Sequence, residues 1–115
     1  MFRLQIESHK YSTKFYHIQN ELGKKVSTLC LIEEILEDGE KSTVGAGQTL
    51  CSKKDNFDRN KGRLISFTRA LKNSGFDRIT RLKFWYEYHK AHKKNLHDFL
   101  STLNEEENLE VVYNL

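Results

Sequence analysis

Phe2, Leu4 and Ile6 alternate with Arg3, Gln5 and Glu7, the period of a strand with one buried face. A second strand is expected over residues 13–19, with Phe15 and His17 on one side and Tyr16 and Ile18 on the other. Leu22-Gly23-Lys24 reads as a turn. From Val26 onward, Val26, Thr28, Cys30 and Ile32 alternate with Ser27, Leu29 and Leu31, a partly β-branched pattern suited to sheet. Asp38-Gly39 predicts a hairpin with a type I′ turn, because that turn needs positive φ. The returning strand covers residues 41–51. Its Val44-Gly45-Ala46-Gly47 segment has so little bulk that a neighbouring backbone can come close.

The period then changes. Asp55 can cap a helix, with Asp58 in its first turn. Phe57, Leu64, Thr68 and Leu71 recur at helical spacing, with Phe67 beside them. Asn73-Ser74-Gly75-Phe76 should end that helix, Gly75 taking the left-handed position after the last turn. Asp77 caps a second helix through Ile79, Leu82, Trp85, Tyr86 and His89, which continues with a bend near residues 93–95 through Leu96, Phe99, Leu100 and Leu103. Residues 109–113 read as a late strand or a docked tail. The expected class is α+β: an N-terminal antiparallel β-meander followed by two helices, an αα-hairpin packed on the sheet. A single domain spans 1–115, with strands in 1–51, helices in 55–104 and an acidic tail or short strand in 105–115.

Length and composition agree with one small domain: 115 residues, 37% hydrophobic and 30% charged. The apolar runs are too short to cross a bilayer, and the charged, alternating N-terminus does not read as a secretory leader. Two cysteines without export features suggest a reducing cytoplasm. So small a chain buries a modest core, which leaves oligomerisation as a further source of stability. Net charge is +3, but residues 53–94 hold 13 Lys and Arg against four acids, a local +9, so the remainder sums to −6. A region so basic points to an anionic partner, or simply to two helices with solvated basic faces.

On a helical wheel Gly62, Ser66 and Ala70 form a small-residue stripe bordered by Arg59, Arg63 and Arg69, about 80–160° from the apolar face. Small residues admit close approach, and guanidinium groups offer paired donors to phosphate or carboxylate. The stripe therefore predicts a groove for a phosphate-bearing ligand, or a contact with a second copy across an anion. The competing reading is that the sheet presses against these small residues. In the second helix Phe84 and Tyr88 lie roughly 200° around from Leu82 and Tyr86. Aromatic residues on both sides predict a second contact for the Phe84-Trp85-Tyr86-x-Tyr88 cluster, another subunit or a stacked planar ligand, beyond ordinary core packing. No Gly-x-Ser-x-Gly, Walker loop, Cys-x-x-Cys or His-Glu-x-x-His motif occurs, and His89 with His92 lacks a third metal ligand. The expectation is binding rather than turnover, with no cofactor and no metal.

The stretch Val44-Gly45-Ala46, then Cys51-Ser52-Lys53-Lys54-Asp55-Asn56-Phe57-Asp58-Arg59, then Gly62-Arg63 and Arg69-Ala70-Leu71, resembles a signature of small phage proteins. It is identified with the phage anti-Thoeris sponge family, the first-described Thoeris anti-defence type. The likeness covers residues 44–72, and elsewhere only the order of strands before helices. It implies a non-enzymatic protein that sequesters cyclic ADP-ribose isomers, or in some members cyclic oligonucleotides. Such proteins are homo-oligomers that hold ligand between subunits and keep host immune effectors off. The resemblance carries phosphate contact onto Arg59, Arg63 and Arg69 and, by position, base stacking onto Phe84, Trp85 or Tyr88, beside Gly62 and Ser66. It also implies a basic residue from the C-terminal segment, whereas residues 95–115 hold neither Lys nor Arg. The alternatives are an inhibitor that tracks nucleic acid with its basic helices and one that binds a host protein through its aromatic surface.

Overall fold

The structure, a computed structural model, describes residues 1–51, 58–92, 96–101 and 103–114. Four strands, β1 (Phe2–Ile6), β2 (His9–Gln19), β3 (Lys25–Ile35) and β4 (Lys41–Leu50), form one antiparallel sheet in the order β1-β2-β3-β4. Helices α1 (Arg59–Ser74), α2 (Arg78–His92), α3 (Leu96–Leu100) and α4 (Glu105–Tyr113) follow. The α+β class, with its meander before its helices, is the one the alternation predicted.

Register explains which side is covered. Thr28, Cys30 and Ile32 of β3 stand opposite Thr49, Gly47 and Gly45 of β4 and opposite His17, Phe15 and Thr13 of β2. These positions share the face under the helices with Phe2 and Tyr11. Phe67 of α1 fills the centre: its ring stacks on Tyr88 at 4.8 Å and meets Trp85 edge-on at 4.8 Å. Phe2 and Phe15 close around it, and a second group joins Tyr11, Phe76 and Phe84.

Helix α1 lies across β3 and β4, and α2 lies over β1. The α1 approach is set by glycine. A Cβ at Gly47 would stand 2.3 Å from the Ser66 carbonyl oxygen and 2.4 Å from the Ala70 nitrogen. One at Gly45 would stand 2.5 Å from the Ala70 carbonyl oxygen, and one at Gly62 would stand 2.4 Å from Thr28 Oγ1. Side chains of α1 also cap the open edge of β4, where Arg69 donates to the Gln48 carbonyl and Asn73 to the Ala46 carbonyl, each at 2.8 Å. Those bonds occupy acceptors that an unpaired edge would offer to another chain.

Four local expectations are corrected. The first helix starts at Arg59, because Asp58 is extended (φ −120°, ψ 114°) and accepts from the Asn60 and Lys61 amides. Asp55 and Phe57, placed in that helix from the pattern, lie outside the described residues. The Asp38-Gly39 turn is not type I′: only Gly39 has positive φ, 86°, and its N–H donates to the Leu36 carbonyl, making a three-residue loop with a glycine bulge. Asn20 to Lys24 repeats the design with Gly23 at φ 76°. Helix α2 is described to His92 and α3 follows over Leu96–Leu100; the bend expected near residues 93–95 lies outside the described residues, and Leu103, expected in the helix, is not helical. Finally, residues 105–113 are helix α4 rather than a strand or tail. Asn104 accepts from the Glu107 amide at 2.8 Å while Glu107 accepts from the Asn104 amide at 3.1 Å, a reciprocal cap that satisfies two otherwise orphaned donors. Gly75 does end α1 in the left-handed region, φ 75°, as expected.

Because the two atoms nearest a Cβ at Gly47 are backbone, they cannot swing away. Gly47→Ala should destabilise the fold by about 2–3 kcal/mol, and Ser42→Ala, at an exposed position on the same strand, by less than about 0.5 kcal/mol, as read from urea unfolding.

Candidate functional site

The small-residue stripe of α1 is not a groove. Gly62, Ser66 and Ala70 are buried, and Thr28, Gly47 and Gly45 of the sheet lie directly on them. The competing reading, that the sheet presses against them, accounts for their size. The aromatic residues assigned to ligand stacking are inside as well: Phe84, Trp85 and Tyr88 are core residues packed on Phe76, Phe67 and Phe2. Leu82, Tyr86 and Ile79, on the other side of α2, are the exposed ones. Arg69 is already satisfied. Its Nε and Nη2 donate to the two carboxylate oxygens of Glu110 at 2.7 and 3.1 Å, which raises the Arg69 pKa and lowers that of Glu110. Two clefts, of about 460 and 540 Å³, flank this pair between β4, α1 and α4. Both are lined by Arg69 and Glu110; the smaller adds Lys72, and the larger adds Lys61 against Asp58, Glu106 and Glu107, so acids outnumber cations in it.

Arg59 and Arg63 are placed differently. Half-buried Arg63 lies near His17 of β2 and near Tyr88 and His92 in the last turns of α2, while exposed Arg59 is near His17 alone among these groups. His17 Nδ1 is 3.0 Å from Thr28 Oγ1. The His92 ring lies 4.5 Å from Tyr88 and 5.8 Å from Phe15, centroid to centroid. Arg63 Nη2 donates to Asn60 Oδ1, one turn back on the same helix. Among the described residues, no carboxylate forms an ion pair with Arg59 or Arg63, and the buried Arg63 Nε and His92 Nε2 have no hydrogen-bond partner.

The titration of the cluster follows from this arrangement. Burial lowers the pKa of His17, and the positive charges of Arg63 and Arg59 lower it further. Burial pushes His92 down to about 4, with Arg63, the amino terminus and His89 acting in the same direction. Burial raises the Tyr88 phenol, against the opposing pull of Arg63. Fixed positive charge therefore collects here beside imidazoles that stay neutral at pH 7, an electrostatic setting that favours an anion.

Of the eight residues singled out from sequence, the structure brings Arg63 and Tyr88 together, with exposed Arg59 reaching only the His17 side of that cluster. It assigns Gly62 and Ser66 to the helix–sheet contact, Phe84 and Trp85 to the core, and Arg69 to an ion pair. His17, Thr28 and His92 were missed. The signal was present for His17, a titratable residue on the inward register of a strand whose other inward residues are apolar or small. Comparison with protein-family models, characterised proteins and solved structures gives no match to this chain.

Each histidine with a lowered pKa stays neutral in the fold below pH 6.5 while the unfolded chain takes up its proton, so stability falls as pH drops from about 6.5 toward 4. The thermal midpoint should decline across that window, and His92→Gln should make the decline shallower. An identical slope in wild type and variant would show that His92 does not carry the effect.

Proposed function

We propose that this chain binds and sequesters a small phosphate-bearing nucleotide signal without transforming it, as the resemblance to the anti-Thoeris sponge family implies. The ligand class is a cyclic ADP-ribose isomer or a cyclic oligonucleotide, and the setting is the cytoplasm of an infected bacterium. One observation carries the reading: half-buried Arg63 sits near two imidazoles that stay neutral, exposed Arg59 sits near one of them, and neither arginine has a carboxylate partner among the described residues. A half-buried guanidinium without a counter-charge is costly, and a phosphate supplies both the charge and the planar pair of acceptors that arginine fits.

The burial of the Gly62–Ala70 stripe moves the anion seat. Phosphate approaches the flank of α1 that faces His17, Tyr88 and His92, and the base stacks on a surface other than Phe84 or Trp85. Arg69 stays with Glu110 and takes no part.

A second reading is favoured by the sheet face turned away from the helices. Tyr16 and Ile18 are exposed there beside half-buried Leu29 and Leu31, a surface that suits a host protein target. Under that reading Tyr16→Ala abolishes capture of the target and Arg63→Ala leaves it intact.

Calorimetric titration with cyclic ADP-ribose isomers and cyclic di- and trinucleotides tests the first reading. At least one ligand should bind and be recovered chemically intact after heat release from the protein. Arg63→Ala should weaken it by about tenfold or more, the loss of a charge-assisted bond of roughly 1.5 kcal/mol, whereas Arg69→Ala should change affinity little. Unchanged binding by Arg63→Ala removes this corner as the site, and a chemically altered ligand removes the sponge reading.

A further inference from the structure

Two helices present apolar stripes to solvent, and the stripes differ in the sign of the charge around them. On α2, Ile79, Leu82 and Tyr86 fall within about 60° of one another and point away from the core; Ile79 is 68% and Tyr86 67% exposed. Exposed Arg78, Lys83 and Lys90 border them, with Lys90 Nζ 5.9 Å from the Tyr86 ring centroid. On α4, Leu109, Val112 and Tyr113 form the exposed stripe, Tyr113 at 91%, while Val111 is buried on the opposite side. Exposed Glu105 and Glu106 border that stripe.

The two stripes sit on opposite flanks of the molecule. Helix α2 lies over β1, with Phe84 and Tyr88 packed on Tyr11 and Phe2. Helix α4 is tied to α1 at the β4 side by Lys61–Glu107 at 3.0 Å and Arg69–Glu110 at 2.7 Å. A molecule cannot lay its own α2 stripe on its own α4 stripe. Like stripes would also bring like charges together: three cations against three for α2 on α2, and two acids against two for α4 on α4.

We infer that α2 of one copy docks on α4 of the next, apolar stripe on apolar stripe, with Arg78, Lys83 and Lys90 facing Glu105 and Glu106. Opposite charge fixes the pairing, because it makes the mixed contact attractive and both like contacts repulsive. The six apolar side chains and their charged rim offer on the order of 1,000 Å² in total, the low end for a specific interface, so association is reversible and concentration-dependent. The contact is heterologous. It leaves one α2 and one α4 unfilled in each pair and adds further copies until a ring closes. Neither stripe contains Arg59, Arg63, His17 or His92, so the contact stands or falls independently of the anion site.

Charge exchange tests it. The double variant Lys83→Glu with Lys90→Glu and the double variant Glu105→Lys with Glu106→Lys are each examined by sedimentation velocity from low micromolar to millimolar concentration, with circular dichroism to confirm folding. The wild-type mean mass should rise above the 13.6 kDa monomer with concentration, and each variant alone should remain monomeric. An equimolar mixture of the two should associate again, because the acidic α2 of one then meets the basic α4 of the other. A wild type that stays monomeric throughout overturns the inference, as does a mixture that fails to associate. Stronger self-association of the Lys83→Glu, Lys90→Glu variant would mean that α2 packs on α2, and overturns it as well.

Discussion

The contact between α1 and β4 is closer than side chains would allow, and most of the molecule is arranged around it. Gly45 and Gly47 of the strand meet backbone atoms of Ser66 and Ala70, and one turn earlier Gly62 takes the Thr28 side chain of β3. That spacing brings Leu64, Phe67 and Leu71 onto the sheet at the depth where Phe67 reaches Phe2, Phe15, Trp85 and Tyr88. It also holds Arg69 and Asn73 within bonding distance of the β4 edge carbonyls, so one approach both builds the core and closes the sheet margin.

The same geometry sorts the arginines. Arg69 is drawn toward β4 and α4, where Glu110 neutralises it. Arg63, a turn and a half earlier, faces the opposite flank of the helix, toward β2 and α2, where it meets imidazoles and a phenol instead of carboxylates. One guanidinium is thereby paired with a carboxylate, and the other has no ion-pair partner among the described residues. The histidines beside it keep their protons off at neutral pH because burial and the guanidinium charge act together.

Much of the fold could be read from residue order. Alternation in residues 2–7 and 26–32 matches strands whose inward sets are buried Phe2 with half-buried Leu4 and buried Thr28, Cys30 and Ile32. Gly75 marked the end of α1 because a left-handed residue there costs glycine nothing. Helix α4 was missed although Asn104-Glu105-Glu106-Glu107 carries the capping-box spacing ahead of Leu109, Val111 and Val112; a strand reading was given to an apolar run too short to show its period. The α1 start was misplaced because Asp55 and Asp58 are equally good caps in isolation, and only the extended backbone at Asp58 chooses between them.

For the site, the sequence by itself determined the inventory: basic residues in 53–94, small residues at spacing four on α1, aromatic residues on two sides of α2, and no catalytic motif. It could not determine which helix face met the sheet, because Gly62-Ser66-Ala70 and Leu64-Phe67-Leu71 are both plausible inner faces, one by shape and one by hydrophobicity. Tertiary structure buried both, since the glycines of β4 remove the bulk that would have kept the small face at a distance. That packing converted a supposed groove into a helix–sheet seam, sent Arg69 to Glu110, and left Arg63 near His17 and His92, with Arg59 near His17. Periodicity fixes which residues share a side of an element; which side is covered depends on the shape of a partner far away in the chain.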